Sequence, residues 1–431
     1  MAENQTNGFS SRLQKIVWLA FLILVFSLAF MKPFIYLWNQ RVSPTDIIFP
    51  IAFLLWFASL FAGLKGFRWH KFYWILLFYF VSLIISTIFS NNPASSLIKL
   101  FGESYLLGLA VLTFNLVETE RQVKQTIKIW LAGTFFACAV GVYSLILFYL
   151  QPGNPLLNYT TYHYGAVPVG NYPRLSSMFV SASMFCNYLN VGFLLLLIAR
   201  KIDFINKHAA FILLTVVSIC AVFTISAGLG GFALASGLWL YFLFGEKHKR
   251  LAALSLIGGI AVSALFFMMN FVALQKHATA RFSIKIPIFD LELQPSPRVL
   301  IWQESLQTFS QNFFSGVGLG EDVCRVSFQN TEGTTSVLTD AHNYLLNVAA
   351  QNGIAGLIAI VVLTIFIIRR AFPAQSVKSS SSTILIGLTM AFFCSFFYQG
   401  LTGSFEEARH LWVLIGLILS ADRLSNKHFA V

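Results

Sequence analysis

The sequence predicts an all-α integral membrane protein of about twelve transmembrane helices with a long helical loop on its non-cytoplasmic side. Three observations predict it. Of the 431 residues, 57% are hydrophobic and 11% charged, with a mean hydropathy of +0.73, whereas soluble domains carry roughly 25% charged residues. The apolar residues come in long blocks, many approaching the ~20 that cross a bilayer as a helix. The basic residues gather in alternate connections between those blocks. The same arithmetic excludes intrinsic disorder, coiled coils and secreted disulfide scaffolds.

On length and charge the spans fall at roughly 16–31, 45–64, 72–90, 97–117, 127–150, 179–199, 209–226, 229–244, 251–270, 341–368, 382–401 and 409–421. An even number puts both termini in the cytoplasm. The first block follows Arg12 and Lys15 and ends near Ser27-Leu28-Ala29, which loosely resembles a signal-peptidase site. Further spans follow at once and orient the chain themselves, so it reads as an uncleaved span.

The net charge of +12 invites a nucleic-acid reading that fails once the charges are mapped. Segments 1–15, 65–71, 118–128, 200–208, 245–250, 369–378 and 422–431 hold 19 of the 29 Lys and Arg but only 6 of the 17 acids. Elsewhere 10 bases and 11 acids nearly cancel. The surplus is a topology signal, the positive-inside bias. No nucleic-acid partner is implied.

The chain therefore divides into residues 1–270 with nine spans, a long outer loop over 271–340, and residues 341–431 with three spans. A shorter outer loop, near 151–177, is rich in Pro, Gly, Asn and Tyr. Most other connections are brief, and long ordered loops are more often functional than connective. In the second loop Val299 to Phe309 places apolar residues at helical spacing after Pro295 and Pro297, so a helix starts there. Gly316-Val317-Gly318-Leu319-Gly320 reads as a turn. Two or more short helices lying against the membrane face are expected. Of the five cysteines only Cys324 falls in a polar loop, and no disulfide framework or metal-ligand spacing is present.

Three places set polar groups against apolar or constrained surroundings. Arg174, in Tyr172-Pro173-Arg174-Leu175, stands where the chain enters the membrane from outside. A snorkelling arginine is the plain alternative, but positive-inside bias opposes a base here and a guanidinium matches phosphate oxygens bidentately. Arg298 lies in the first turn of the loop helix, where the dipole disfavours a cation. Lys276, Arg281 and Lys285 could extend a basic rim or be solvated loop bases. His342 follows Thr339 or Asp340, either of which suits an N-cap, and so falls in the first turn of the tenth span. A neutral imidazole there suits proton abstraction from a hydroxyl, although a lone interfacial histidine is more often structural.

Tyr159, Tyr162, Tyr164 and Tyr172 suit sugar stacking or plain interface anchoring. Glu406, Glu407 and Arg409 suggest mutual pairing, and Glu103 is an intramembrane carboxylate of open role.

The ordered set Arg298-x-x-x-Trp302, Gly316-Val317-Gly318-Leu319-Gly320, Ala341-His342-Asn343-x-x-Leu346 and Gly353-Ile354-Ala355-Gly356-Leu357 resembles the O-antigen ligase and polymerase superfamily. Arg174 with Met178-Phe179 and Asn187-Tyr188-Leu189 looks like its earlier motif. The resemblance implies a GT-C-like, metal- and cofactor-independent, inverting glycosyltransferase of the bacterial inner membrane with its active site on the periplasmic side. Its donor would be an undecaprenyl-diphosphate-linked glycan and its acceptor lipid A–core, or another carrier-linked glycan in the polymerase branch. The resemblance makes His342 the base, with Arg174 and Arg298 on the diphosphate. Many relatives carry an arginine after a serine before the loop; Thr224-Ile225-Ser226-Ala227-Gly228 has none, so either Arg281 or another loop base substitutes or the donor is held differently. The rival class, a lipid-linked glycan transporter, fits less well, because charges gather in one asymmetric loop and no pseudo-repeat is visible.

Overall fold

Each apolar block holds a helix, and the helices begin where the sequence supplies caps. The computed structural model describes residues 2–33, 35–37, 40–64, 66–164, 172–226, 228–243, 247–267, 269–271, 275–276, 283–287, 291–330, 335–371, 379–402 and 408–427. The first five helices are α1 (Ala2–Ser27), α2 (Pro44–Phe61), α3 (Phe72–Ile88), α4 (Pro93–Leu116) and α5 (Glu120–Leu150). A single turn, α6 (Leu157–Thr160), is followed by α7 (Ala182–Lys201), α8 (Lys207–Phe223), α9 (Leu229–Leu243) and α10 (Lys247–Phe267). Beyond the long loop come α12 (Tyr344–Ile368), α13 (Ser380–Thr402) and α14 (Arg409–Lys427), and the loop itself contains α11 (Pro297–Gln311).

Local chemistry sets the boundaries. Ser43 precedes Pro44, and its backbone N–H and hydroxyl both donate to Asp46 at 2.8 Å, closing the first turn of α2. Asn92 before Pro93 accepts from the Ser95 N–H. Thr119 and Gln122 form a reciprocal capping box on α5, which starts that helix seven residues before the apolar block at 127. Among the described residues six helices are long and apolar enough to cross a membrane: those beginning at Pro44, Pro93, Glu120, Ala182, Tyr344 and Ser380. Three apolar helices are shorter, beginning at Phe72, Lys207 and Leu229.

Burial sorts these helices. In the apolar window of α7, 83% of residues are buried, against 22% in α2; α7 is therefore central and α2 peripheral. α7 packs on α13 and α8, and α14 packs on α4 and α13, with Leu411 to Leu419 of α14 almost wholly enclosed. Phe57, Phe61, Phe211 and Ile219 instead point outward, as suits side chains that meet lipid.

The loops correct two expectations. Residues 271–340 were expected to hold two or more short helices; among the described residues they hold one, α11, and strands. β5 (Met269–Phe271), β8 (Leu291–Pro295) and β7 (Ile284–Ile286) form one antiparallel sheet. β10 (Thr335–Leu338), β9 (Val326–Asn330) and β6 (Gln275–Lys276) form another. These short strands are additions to a mostly helical chain. Leu291-Glu292-Leu293-Gln294 and Val326-Ser327-Phe328-Gln329 alternate apolar and polar residues with period two, the signature of half-buried strands. The shorter loop carries a hairpin, β3 (Thr161–Tyr164) on β4 (Tyr172–Leu175), with Tyr162 opposite Arg174. β1 (Ile35–Leu37) and β2 (Gln40–Val42) pair between α1 and α2.

A small second core welds the long loop to the helices. Ile301, Val323, Cys324, Val326, Ala341 and Ala350 are buried together, with Trp302, Phe309 and Leu346 against them. Cys324 is therefore a packed thiol rather than a solvated one, and burial pushes it up to about 12.

The glycine turn docks on an interruption in α12. Gly353 has φ +66° and ψ −166° inside that helix. The Ile354 N–H there donates to the Phe313 carbonyl at 2.8 Å, and the Val317 N–H donates to the Ala350 carbonyl at 2.9 Å. A Cβ on Gly353 would lie 2.2 Å from the Phe314 carbonyl oxygen, and one on Gly316 would lie 2.0 Å from that of Gln351. Only glycine lets the backbones approach so closely. Gly353→Ala is expected to destabilise the protein by at least ~1–3 kcal/mol, read as a lowered melting midpoint of the detergent-solubilised chain; an unchanged midpoint would refute the close docking.

Candidate functional site

The histidine lies outside the helical turn in which it was expected, and the displacement matters. Asn343, not Thr339 or Asp340, is the N-cap of α12, its side chain accepting from the Leu346 N–H at 3.2 Å. His342 thus precedes the helix instead of occupying its first turn, in the left-handed region at φ +47°. Non-glycine residues seldom adopt that conformation, which costs about 1–3 kcal/mol and persists only where surrounding bonds impose it.

Those bonds converge on Asp340. Its Oδ1 accepts from the His342 backbone N–H at 2.6 Å and contacts His342 Nδ1 at 2.9 Å. Its Oδ2 accepts from Asn347 Nδ2 at 2.5 Å, while Asn347 Oδ1 accepts from the Ala341 N–H at 3.0 Å. Burial opposes ionisation of Asp340, but the bonds from His342 and Asn347 outweigh it and hold its carboxyl below the ordinary range. An ionised carboxylate only accepts, so the proton shared with the ring resides on Nδ1 and the lone pair on Nε2. The residue that orients the histidine was read from sequence as a helix cap. The Asp-x-His spacing, which allows an Asx turn, was the available signal.

Arg298 is tied to the same turn through α11. Ser296 caps that helix, accepting from the Arg298 N–H at 3.3 Å, with Pro297 at the first position, so Arg298 sits in the first turn as expected. Four residues on, Trp302 Nε1 donates to the Ala341 carbonyl at 3.0 Å. Side chains four apart share a helix face, and this bond fixes that face against the residue preceding His342.

Arg174 comes from a different quarter. The β3–β4 hairpin carries it to the α8–α9 connection, where its Nε donates to the Thr224 carbonyl at 3.0 Å. That connection is the one in which the resemblance led us to look for a further arginine. Thr224 and Ser226 are buried there, Ile225 has φ +42°, and the Gly228 N–H donates to Ser226 Oγ at 3.1 Å. Burial, opposed by Tyr398 and assisted by the positive charge of Arg174, lowers the pKa of Arg298. The charge of Arg174 is thus felt at Arg298, and guanidinium groups suit the oxygens of an anion.

The remaining candidates part company. Arg281 lies outside the described residues, as do Glu406 and Glu407 and the side chains of Lys276 and Tyr164. Lys285 is exposed on β7, opposite Glu292. Tyr159 lies beneath Lys32, 5.5 Å from its ring centre, and the Tyr162 hydroxyl donates to the Val180 carbonyl at 2.8 Å; both bonds tie the short loop down. Arg409 grips Asp46 through two bonds of 2.8 and 2.9 Å, joining α14 to the cap of α2. Glu103 is buried, 3.5 Å from the Tyr79 hydroxyl, which lies 3.2 Å from that of Tyr344.

Residues 209–361 match the family model described as O-antigen ligase. The matched stretch contains Arg298, Trp302, His342 and Gly353, and Arg174 precedes it. No curated protein matches the chain.

Because the Asp340 carboxyl is held low, the stabilisation it brings is full above the ordinary carboxylate value of ~3.9 and is lost as pH falls through its lower folded value. Asp340→Asn sets an amide N–H against Asn347 Nδ2. After allowance for partial exposure, the expected destabilisation is about 1 kcal/mol at pH 7, and it should shrink in melts taken near pH 3. An equal penalty at both pH values would contradict an ionised Asp340.

Proposed function

The match over residues 209–361 supports the O-antigen ligase superfamily for this chain, and from that premise we propose a multi-pass glycosyltransferase of the bacterial inner membrane. In this reading it has about twelve crossings in a GT-C-like arrangement, with both termini cytoplasmic. Residues 1–270 and 341–431 are its membrane parts, and residues 271–340 form a periplasmic loop that completes the active site. It transfers O-antigen, or a related glycan, from undecaprenyl diphosphate to a sugar hydroxyl of lipid A–core. The observation that carries the reading is the Asp340–His342 pair, which leaves Nε2 as the basic nitrogen beside a helix bearing Arg298.

The chemistry follows from those groups. His342 Nε2 takes the proton of the acceptor hydroxyl as its oxygen attacks the anomeric carbon, and Asp340 stabilises the imidazolium that forms. The bond from that carbon to the diphosphate breaks, and its electron pair departs with undecaprenyl diphosphate. Arg174 and Arg298 meet the charge that develops on the departing group, so the reading needs no metal or cofactor. Direct attack from the opposite face inverts the anomeric centre. Arg281 is proposed as a further donor contact.

Reconstitution with undecaprenyl-diphosphate-linked glycan and purified lipid A–core tests the reading. Wild type should place glycan on lipid A–core. His342→Ala should lose about 10²–10⁴-fold or more in rate at normal protein level. Arg174→Ala and Arg298→Ala should each lose about 10²–10³-fold. An active, folded His342→Ala protein would sink the base assignment. Elongation of the carrier-linked glycan with no product on lipid A–core would make the chain a repeat-unit polymerase, and flux of intact lipid-linked glycan without bond formation would make it a transporter.

A further inference from the structure

A cavity of about 690 Å³ opens beside Asp340. Its walls are the start of α2, the first turns of α4, the Arg409 end of α14, and loop residues 320–322 and 339–340. Neither Arg174 nor Arg298 lines it, whereas Asp340 does. Asp340, which holds the His342 ring, therefore lies on the wall of this chamber, and neither guanidinium does.

The lining selects what can enter. Asp46, Glu103, Glu321, Asp322 and Asp340 face Lys99 and Arg409, and Arg409 is already clamped on Asp46. Such a wall repels a diphosphate but offers acceptors and donors to neutral hydroxyls. Phe49 and Tyr105, edge to face at 4.6 Å between ring centres, add an aromatic surface. The volume falls within the roughly 300–1,000 Å³ of small-molecule sites.

Gly102 provides an independent indication. It lies within α4 with an ordinary backbone conformation and lines the cavity, and a Cβ there would meet nothing within 4 Å. Gly108 in the same helix has a packing reason, because Phe49 would lie 2.8 Å from its Cβ. Gly102 has neither a close neighbour nor a turn to justify a residue that weakens a helix. What it does is keep that wall open.

We propose that this cavity seats the uncharged reacting sugar of the acceptor, in an acidic chamber beside Asp340 that neither arginine lines. The assignment rests on the glycosyltransferase reading above. The full-length protein in nanodiscs would be probed for retention of lipid A–core and of undecaprenyl diphosphate by native mass spectrometry, beside transfer kinetics. Gly102→Trp, and Ile98→Trp one turn earlier on the same wall, should each weaken lipid A–core retention and raise its KM at least tenfold. Both should hold undecaprenyl diphosphate as wild type does. Tryptophan variants that keep the wild-type melting midpoint and bind lipid A–core normally would overturn the assignment. Variants that lose undecaprenyl diphosphate instead would overturn it too. Wild type that retains lipid A–core without forming product, with retention lost in both variants, would refute the transferase reading and leave the cavity assignment standing.

Discussion

The hydrogen bonds received by the Asp340 carboxylate are the constraint on which the candidate site depends. A half-buried carboxylate is favourable only where donors replace the hydration it has lost, at a penalty of roughly 1–3 kcal/mol when they do not. Here the donors are the His342 backbone, the His342 ring and Asn347. Satisfying all three requires the chain to turn sharply at 342, which is why a non-glycine residue sits at φ +47°. The same turn lets Asn347 hold the Ala341 N–H and Trp302 hold the Ala341 carbonyl. One charge thereby fixes the ring, the start of α12 and the attachment of α11.

Around that turn the molecule separates its charges. The Arg174 guanidinium reaches the α8–α9 connection and its charge is felt at Arg298, while carboxylates line the chamber between α2, α4 and the long loop. In a region of low dielectric, such segregation discriminates strongly between an anionic group and a neutral one. The bidentate Arg409–Asp46 pair keeps a base on the acidic side without making that side attractive to phosphate. The break in α12 at Gly353, filled by the glycine turn from the loop, holds the two halves of this arrangement in register.

Much of the site was legible in sequence, though not its wiring. Arg298 in a first turn after Ser296-Pro297, and the glycine turn, follow from local chemistry and stand where expected. The role of Asp340 was missed because capping and side-chain clamping present the same residue types at nearly the same spacing. The partner of Arg409 was missed because Asp46 lies 363 residues away. The strands of the long loop were passed over because a single strong helical period drew attention from short period-two runs.

Hydropathy, charge asymmetry and cap residues act over a few residues to a few tens, so the sequence by itself determined the membrane class, the approximate helices and the two loops that matter. Tertiary structure alone decided which polar groups meet: that Trp302 reaches Ala341, that Arg174 reaches Thr224, and that a glycine in α4 opens onto a cavity beside Asp340. The physical reason is the range of the interactions. Hydrogen bonds and ion pairs require contact within a few ångströms, and those contacts join residues tens to hundreds of positions apart, a proximity that only the packed helices create.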